Sequence, residues 1–144
     1  MSHTILHDFP IAVPPARVFE GISSPAGLDE WWTARSSGSP VMGTEYELWF
    51  GPEYDWRAVV RKSRPGEVFE LELTRAMKDW HGTRVGFELA PNDSGTMVRF
   101  YHAGWNGESE HYRISCYCWA MYLRILRRNL EFGEQVPYQK RLAV

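Results

Sequence analysis

The side chains best suited to chemistry in this sequence are its histidines, its two cysteines, its paired acids and its tryptophans. Histidine is the side chain whose charge ordinarily changes near neutral pH. The five stand at 3, 7, 81, 102 and 111. No His-Glu-x-x-His pair occurs, and a metal site would need at least three of these scattered residues to converge, so no metal and no cofactor is expected. Gly104-Trp105-Asn106-Gly107 lacks the Lys-Ser/Thr ending of a phosphate loop, and no Gly-x-Ser-x-Gly elbow is present. Cys116 and Cys118 are two apart on a helical stretch, so their side chains diverge by about 160° at about 100° per residue. They read as reduced packing residues rather than as a disulfide. Glu45/Glu47 and Glu70/Glu72 alternate on strand-like sequence and read as solvated sheet surface.

His102 is the catalytic candidate. It ends a strand pattern on the apolar face, immediately before the longest helical pattern. It is either a polar anchor or proton shuttle in an apolar pocket, or a buried histidine satisfied by backbone or tyrosine. His7 lies on the apolar face of the first strand and is expected to approach it. The tryptophans Trp31, Trp32, Trp49, Trp56, Trp80, Trp105 and Trp119 form the other notable set. Trp32, Trp56 and Trp119 either line a ligand cavity or fill a core. By parity Trp49 faces outward, where it would need a partner surface.

The elements that must position these residues follow from periodicity. Residues 109 to 132 form the one long helix. Tyr112, Cys116, Trp119, Leu123, Leu126 and Leu130 recur at steps of three and four and make one stripe. A second apolar group, Ile114, Cys118, Met121 and Ile125, lies beside it and contacts either neighbouring elements or a second copy. Gly133 is the expected C-cap. The tail from Glu134 to Val144 shows no period and is expected to be peripheral.

Ahead of the helix, residues 3 to 13 alternate as a strand until Pro14-Pro15. Ala16 to Ile22 and Pro25 to Trp32 read as two short helices, the second capped by Ser24. Residues 34 to 44, rich in Ser and Gly, read as a mobile loop. Five strands follow: Thr44–Phe50, Tyr54–Lys62, Glu67–Arg75, Thr83–Ala90 and Thr96–His102. Their turns include Gly51-Pro52, Arg64-Pro65-Gly66 and Pro91 to Gly95, whereas residues 77 to 82 are either a rim loop or the next strand's start. Alternation turns Tyr46, Leu48, Phe50, Trp56, Ala58, Val60, Phe69, Leu71, Leu73, Val85, Phe87, Leu89, Val98, Phe100 and His102 towards the helix. The expected architecture is α+β, with a curved antiparallel sheet of six or seven strands wrapped around the C-terminal helix.

With 144 residues and no internal repeat, one domain over 1–144 is expected. A net charge of −2 with both signs interspersed offers no stripe for nucleic acid. No apolar run approaches the roughly 18 residues of a membrane span, and Met-Ser-His-Thr is not a signal-peptide start. A cytoplasmic location without membrane insertion is expected.

Several stretches resemble the START and birch-pollen-allergen superfamily (SRPBCC), in the branch named after the activator of the heat-shock-protein-90 ATPase. They are Phe9-Pro10-Ile11-Ala12-Val13-Pro14-Pro15-Ala16-Arg17-Val18-Phe19, Pro25 through Trp32, Trp80-His81-Gly82-Thr83-Arg84-Val85, His102-Ala103-Gly104-Trp105, and Trp119 through Leu130. The resemblance covers nearly the whole chain and implies a helix-grip fold. Members of the superfamily bind lipids, hormones or polyketides, and some catalyse cyclisation or ring chemistry. It implies a small apolar ligand held between sheet and helix. Trp32, Trp56, Leu71, Phe87, Phe100, Trp119 and Leu123 would be walls, and His102 and Tyr46 polar anchors. The short helices and the loop at 34 to 44 would form the mouth. The alternatives are a polyketide cyclase or hydrolase using the same pocket, and a chaperone-interaction module presenting Trp49 or Ile114, Met121 and Ile125.

Overall fold

The computed structural model describes residues 3–144; Met1 and Ser2 of the opening segment lie outside the described residues. The elements run β1 (His3–Ile11), α1 (Pro15–Ser23), α2 (Pro25–Trp31), β2 (Arg35–Ser37), β3 (Glu45–Trp49), β4 (Asp55–Arg64), β5 (Val68–Arg75), β6 (Arg84–Asn92), β7 (Gly95–Trp105) and α3 (Glu110–Phe132). A short 3-10 helix, Tyr138–Ala143, closes the chain. The strands form one antiparallel sheet in the order β1-β7-β6-β5-β4-β3-β2. This is the helix-grip arrangement, with seven strands curved around α3. Register shifts between Arg57 and Ala58, and between Val60 and Lys62, supply local bends of the kind that help a sheet curl.

Local chemistry sets the helix ends. Pro15 opens α1 at a position where its missing N–H costs no bond. Ser24 Oγ accepts from Gly27 N at 3.0 Å and caps α2. Ser109 Oγ accepts from Tyr112 N at 3.2 Å at the start of α3. Gly133 closes α3 in the left-handed region, at φ +68°, with its N–H on Asn129 O at 2.9 Å.

The inward set follows the alternation. Thirteen of those fifteen side chains are buried; Phe50 and Trp56 are half-buried at one end of the sheet. Val18, Phe19, Ile22, Leu28 and Trp31 of the short helices and Trp119, Leu123, Leu126 and Leu130 of α3 complete this core. The main helical stripe is shifted slightly from expectation. Ser115 and Ile125 are buried, whereas Tyr112 and Cys116 are half-buried against β1.

Five local expectations are corrected. The stretch at 34 to 44 contains β2, and Gly38 lies flat against the Tyr46 ring, which a Cβ there would strike at 2.6 Å. The turn at 91 to 95 shrinks to Asp93-Ser94, because Asn92 Oδ1 accepts from Ser94 N at 3.1 Å and Asn92 pairs with Gly95. Trp49 finds its partner inside the chain: the Arg35 guanidinium sits 4.0 Å from its ring centroid, across the β2–β3 pair.

Glu70, expected in water, is only 4% exposed. The Tyr101 ring lies over Gly86, where no Cβ stands in the way, and its hydroxyl donates to Glu70 Oε1 at 2.6 Å. Lastly, the tail docks. Arg141 is 4% exposed and donates to Asp29 O at 2.6 Å, Thr33 O at 3.2 Å and Val136 O at 3.1 Å. A guanidinium there meets carbonyls left open in the last turn of α2 and just after it, at Asp29 and Thr33.

Candidate functional site

His102 sits at the centre of an aromatic box. Its ring is 4.5 Å from Trp80, 4.8 Å from Trp105 and 5.9 Å from Trp119, centroid to centroid. Trp119 Nε1 can only donate, and it lies 3.0 Å from His102 Nδ1. That assigns the lone pair to Nδ1 and the proton to Nε2, which donates to Thr83 Oγ1 at 2.8 Å. Thr83 in turn donates to Trp80 O at 2.5 Å. Each ring nitrogen therefore has a protein partner, and the residue is fully buried. Burial, with a smaller contribution from His111, pushes its pKa down to about 3, so the imidazole is neutral at physiological pH. The acid–base candidate of the sequence has no nitrogen left for a ligand.

Tyr46, the second expected polar anchor, is spent in the same way. Its hydroxyl donates to Ser23 O at 2.6 Å, and burial raises its pKa. Leu71, Phe87 and Phe100 are likewise enclosed, each 3% exposed or less. His7 pairs across the strands with Phe100, and Ile5 with His102. His7 Nε2 reaches Cys116 O at 3.2 Å instead of the other histidine.

Open space remains at one end of the helix–sheet interface. A recess of about 180 Å³ is lined by Trp32, Trp56, Trp80, His111, Ile114, Ser115, Cys118, Trp119 and Tyr122. Three of the nine expected ligand residues, Trp32, Trp56 and Trp119, meet there. Leu123 instead lines a separate groove of about 280 Å³ between β1 and α3, with His7, Phe9, Arg124 and Arg127.

The four indoles of the recess hold one another. Trp80 stacks on Trp119 at 5.7 Å, Trp56 meets Trp80 at 5.0 Å, and Trp32 meets Trp119 at 5.3 Å. The helix wall is a stripe that the main apolar pattern conceals. His111, Ser115, Cys118 and Tyr122 follow at steps of four, three and four, and so share one line of α3. Ser115 Oγ lies 3.3 Å from Trp80 Nε1 and accepts its proton. His111 Nδ1 lies 3.1 Å from Asp79 Oδ2. Burial raises the Cys118 thiol and pushes the Tyr122 hydroxyl up to about 12, so both stay protonated and neutral. Periodicity in the sequence already contained this stripe. Its mixed polarity hid it, and Trp80 was hidden in a linker whose fold-back is a tertiary feature.

Among the described residues no three His, Cys, Asp or Glu side chains gather in a way that could hold a metal ion, and no helix is long and apolar enough to cross a membrane.

Comparisons with known proteins bear on this geometry. The chain is similar to the Aha1 dimer of Colwellia psychrerythraea, solved in solution, at 27% identity. The match covers 92% of this chain and 98% of that one, with a TM-score of 0.83. It shares its fold with DynU16, a protein of the dynemicin biosynthetic locus, at 16% identity and a TM-score of 0.75, over 93% of this chain and 50% of that one. CalU16 of Micromonospora echinospora is a third likeness of fold, at 18% identity and a TM-score of 0.70, over 97% of this chain and 83% of that one. A comparison with curated proteins finds no match. The family model described as "Activator of Hsp90 ATPase homolog 1-like protein" matches residues 12–131, most of the chain, and the protein belongs to that family.

Proposed function

We propose that this protein binds a small, largely apolar molecule of one or two aromatic rings in the recess walled by Trp32, Trp56, Trp80 and Trp119. The observation that carries this reading is the juxtaposition of four indoles around about 180 Å³ of open space. The neighbouring helix–sheet interface is filled with buried side chains. An apolar cavity of about 150 Å³ accepts benzene. Each Å² of indole surface shielded by a ligand contributes on the order of 25 cal/mol. The recess also has the few polar groups that orient a ligand.

Calorimetric titration with toluene and indole tests this. Binding by the native protein, weakened more than tenfold when Cys118→Phe fills the recess, supports the reading. Unchanged affinity in that variant, with its fold intact, would overturn it. The cyclase or hydrolase alternative has lost His102 as its acid–base group, since both ring nitrogens are engaged.

A specific observation favours a second reading, self-association. Ile114 and Tyr117 are 51% and 78% exposed on the outer side of α3, beside Glu110 and Arg113. The Colwellia psychrerythraea relative is a dimer. Ile114 also lines the recess, so a second copy seated here would cover its rim. Sedimentation equilibrium should show a dimer that Tyr117→Glu dissociates. A monomer at all concentrations removes this reading and leaves the binding reading untouched.

A further inference from the structure

We propose that His111, held by Asp79, is the hydrogen-bond acceptor of the tryptophan recess and selects neutral ligands that carry an aromatic hydroxyl. This rests on the binding reading above and deepens it. The Asp79 carboxylate accepts from His111 at 3.1 Å, which places the proton of the neutral imidazole on Nδ1 and leaves a lone pair on Nε2. Among the described residues Nε2 has no hydrogen-bond partner. The ring has a defined setting: Trp80 lies 6.5 Å away at 33° and Trp105 5.8 Å away at 84°.

Three other polar atoms of the wall are engaged or weak. Ser115 Oγ takes the Trp80 N–H, Trp119 Nε1 is given to His102, and the Cys118 thiol is a protonated, weak donor. The recess therefore offers apolar walls, donor groups on Trp32, Trp56, Ser115 and Tyr122, and in His111 Nε2 one nitrogen acceptor. A phenol-type molecule matches the walls and the acceptor, with its ring against the indoles and its O–H on Nε2. The proton decides between phenol and carboxylate. A phenol O–H can donate to Nε2, whereas a carboxylate has no proton to give and would lie close to the Asp79 carboxylate, which repels it.

Toluene, phenol and benzoate share one ring and differ at one substituent, so their affinities separate the contributions. In the native protein phenol should bind more tightly than benzoate. His111→Phe should lower the phenol-to-toluene affinity ratio by about fivefold, the worth of one neutral hydrogen bond. Asp79→Asn, at a half-exposed side chain, should lower the same ratio by a smaller factor and serves if His111→Phe does not fold. An unchanged ratio in the variants, or benzoate binding more tightly than phenol, overturns the role of His111 while the recess reading stands. Failure of all three probes to bind the native protein overturns both.

Discussion

Two histidines flank Trp80, and they have opposite fates. His102 is 4.5 Å from that indole and fully buried, with a protein partner on each nitrogen. His111 is 6.5 Å from the same indole and half-buried, with a partner on Nδ1 alone. The difference lies in what the fold has left unsatisfied. His102 closes a chain of bonds running from Trp119 through Thr83 to Trp80, and so joins α3 to β7 and the β5–β6 turn. A buried polar group in such a chain stabilises because its loss strands the others. His111 keeps one nitrogen open at the edge of a recess, where a ligand can use it. Burial marks the structural histidine, and incomplete satisfaction marks the functional candidate.

The largest predicted effect breaks the closed side of this comparison. Trp119→Ala removes a buried indole and the donor to His102, and should destabilise the protein by about 3–5 kcal/mol in denaturant unfolding. Trp119→Phe keeps most of the volume, so it should cost less yet free His102 Nδ1, which nitrogen NMR of the imidazole would report.

Acid should act through the same residue. Folding holds His102 at about 3 against an ordinary 6.5. Between those values the unfolded chain binds a proton at this site and the folded protein does not. Stability is then full above about pH 6.5 and falls by up to several kcal/mol as the pH drops towards 3. Unfolding measured across that window should steepen with acidity, and His102→Leu should flatten the His102 part of the slope while lowering stability at neutral pH.

A smaller effect is expected where the tail docks. Arg141→Ala strands the carbonyls of Asp29, Thr33 and Val136 and should cost about 2 kcal/mol in chemical unfolding. The smallest effect belongs to the open side. His111→Phe should change stability by no more than about 0.5 kcal/mol, since the residue is half-buried and its hydrogen-bond partner Asp79 is near the surface. A loss as large as that of Trp119→Ala would make the two histidines alike and dissolve the distinction.

Much of the fold was legible because it depends on period. The alternation that turns Tyr46 to His102 inward, the stripe through Trp119 to Leu130 and the Gly133 cap are local or near-local signals. The strip Arg35–Ser37 was not legible: three residues carry too short a pattern, and its pairing with β3 is a tertiary event. Glu70 misled for a related reason. Parity placed it on the outer face correctly, but its cover comes from Tyr101, two strands away, lying across Gly86.

The candidate site was half legible. Trp32, Trp56 and Trp119 could be named because aromatics on inward faces have few places to go. His102 and Tyr46 were natural anchors by type, but their satisfaction depends on Trp119, Thr83 and Ser23, whose approach no spacing encodes. His111 was passed over because a histidine beside a helix start looks like surface until Asp79 is seen to fold back against it.

The central claim is that the four-indole recess takes a ligand, and the indole N–H resonances of the seven tryptophans test it most directly. On titration with toluene, Trp32, Trp56, Trp80 and Trp119 should shift together, while Trp49, held beneath Arg35 on the far face, stays still. Shifts confined to the groove by Leu123 and Arg124, or no shift at any indole up to saturating toluene, would contradict the account.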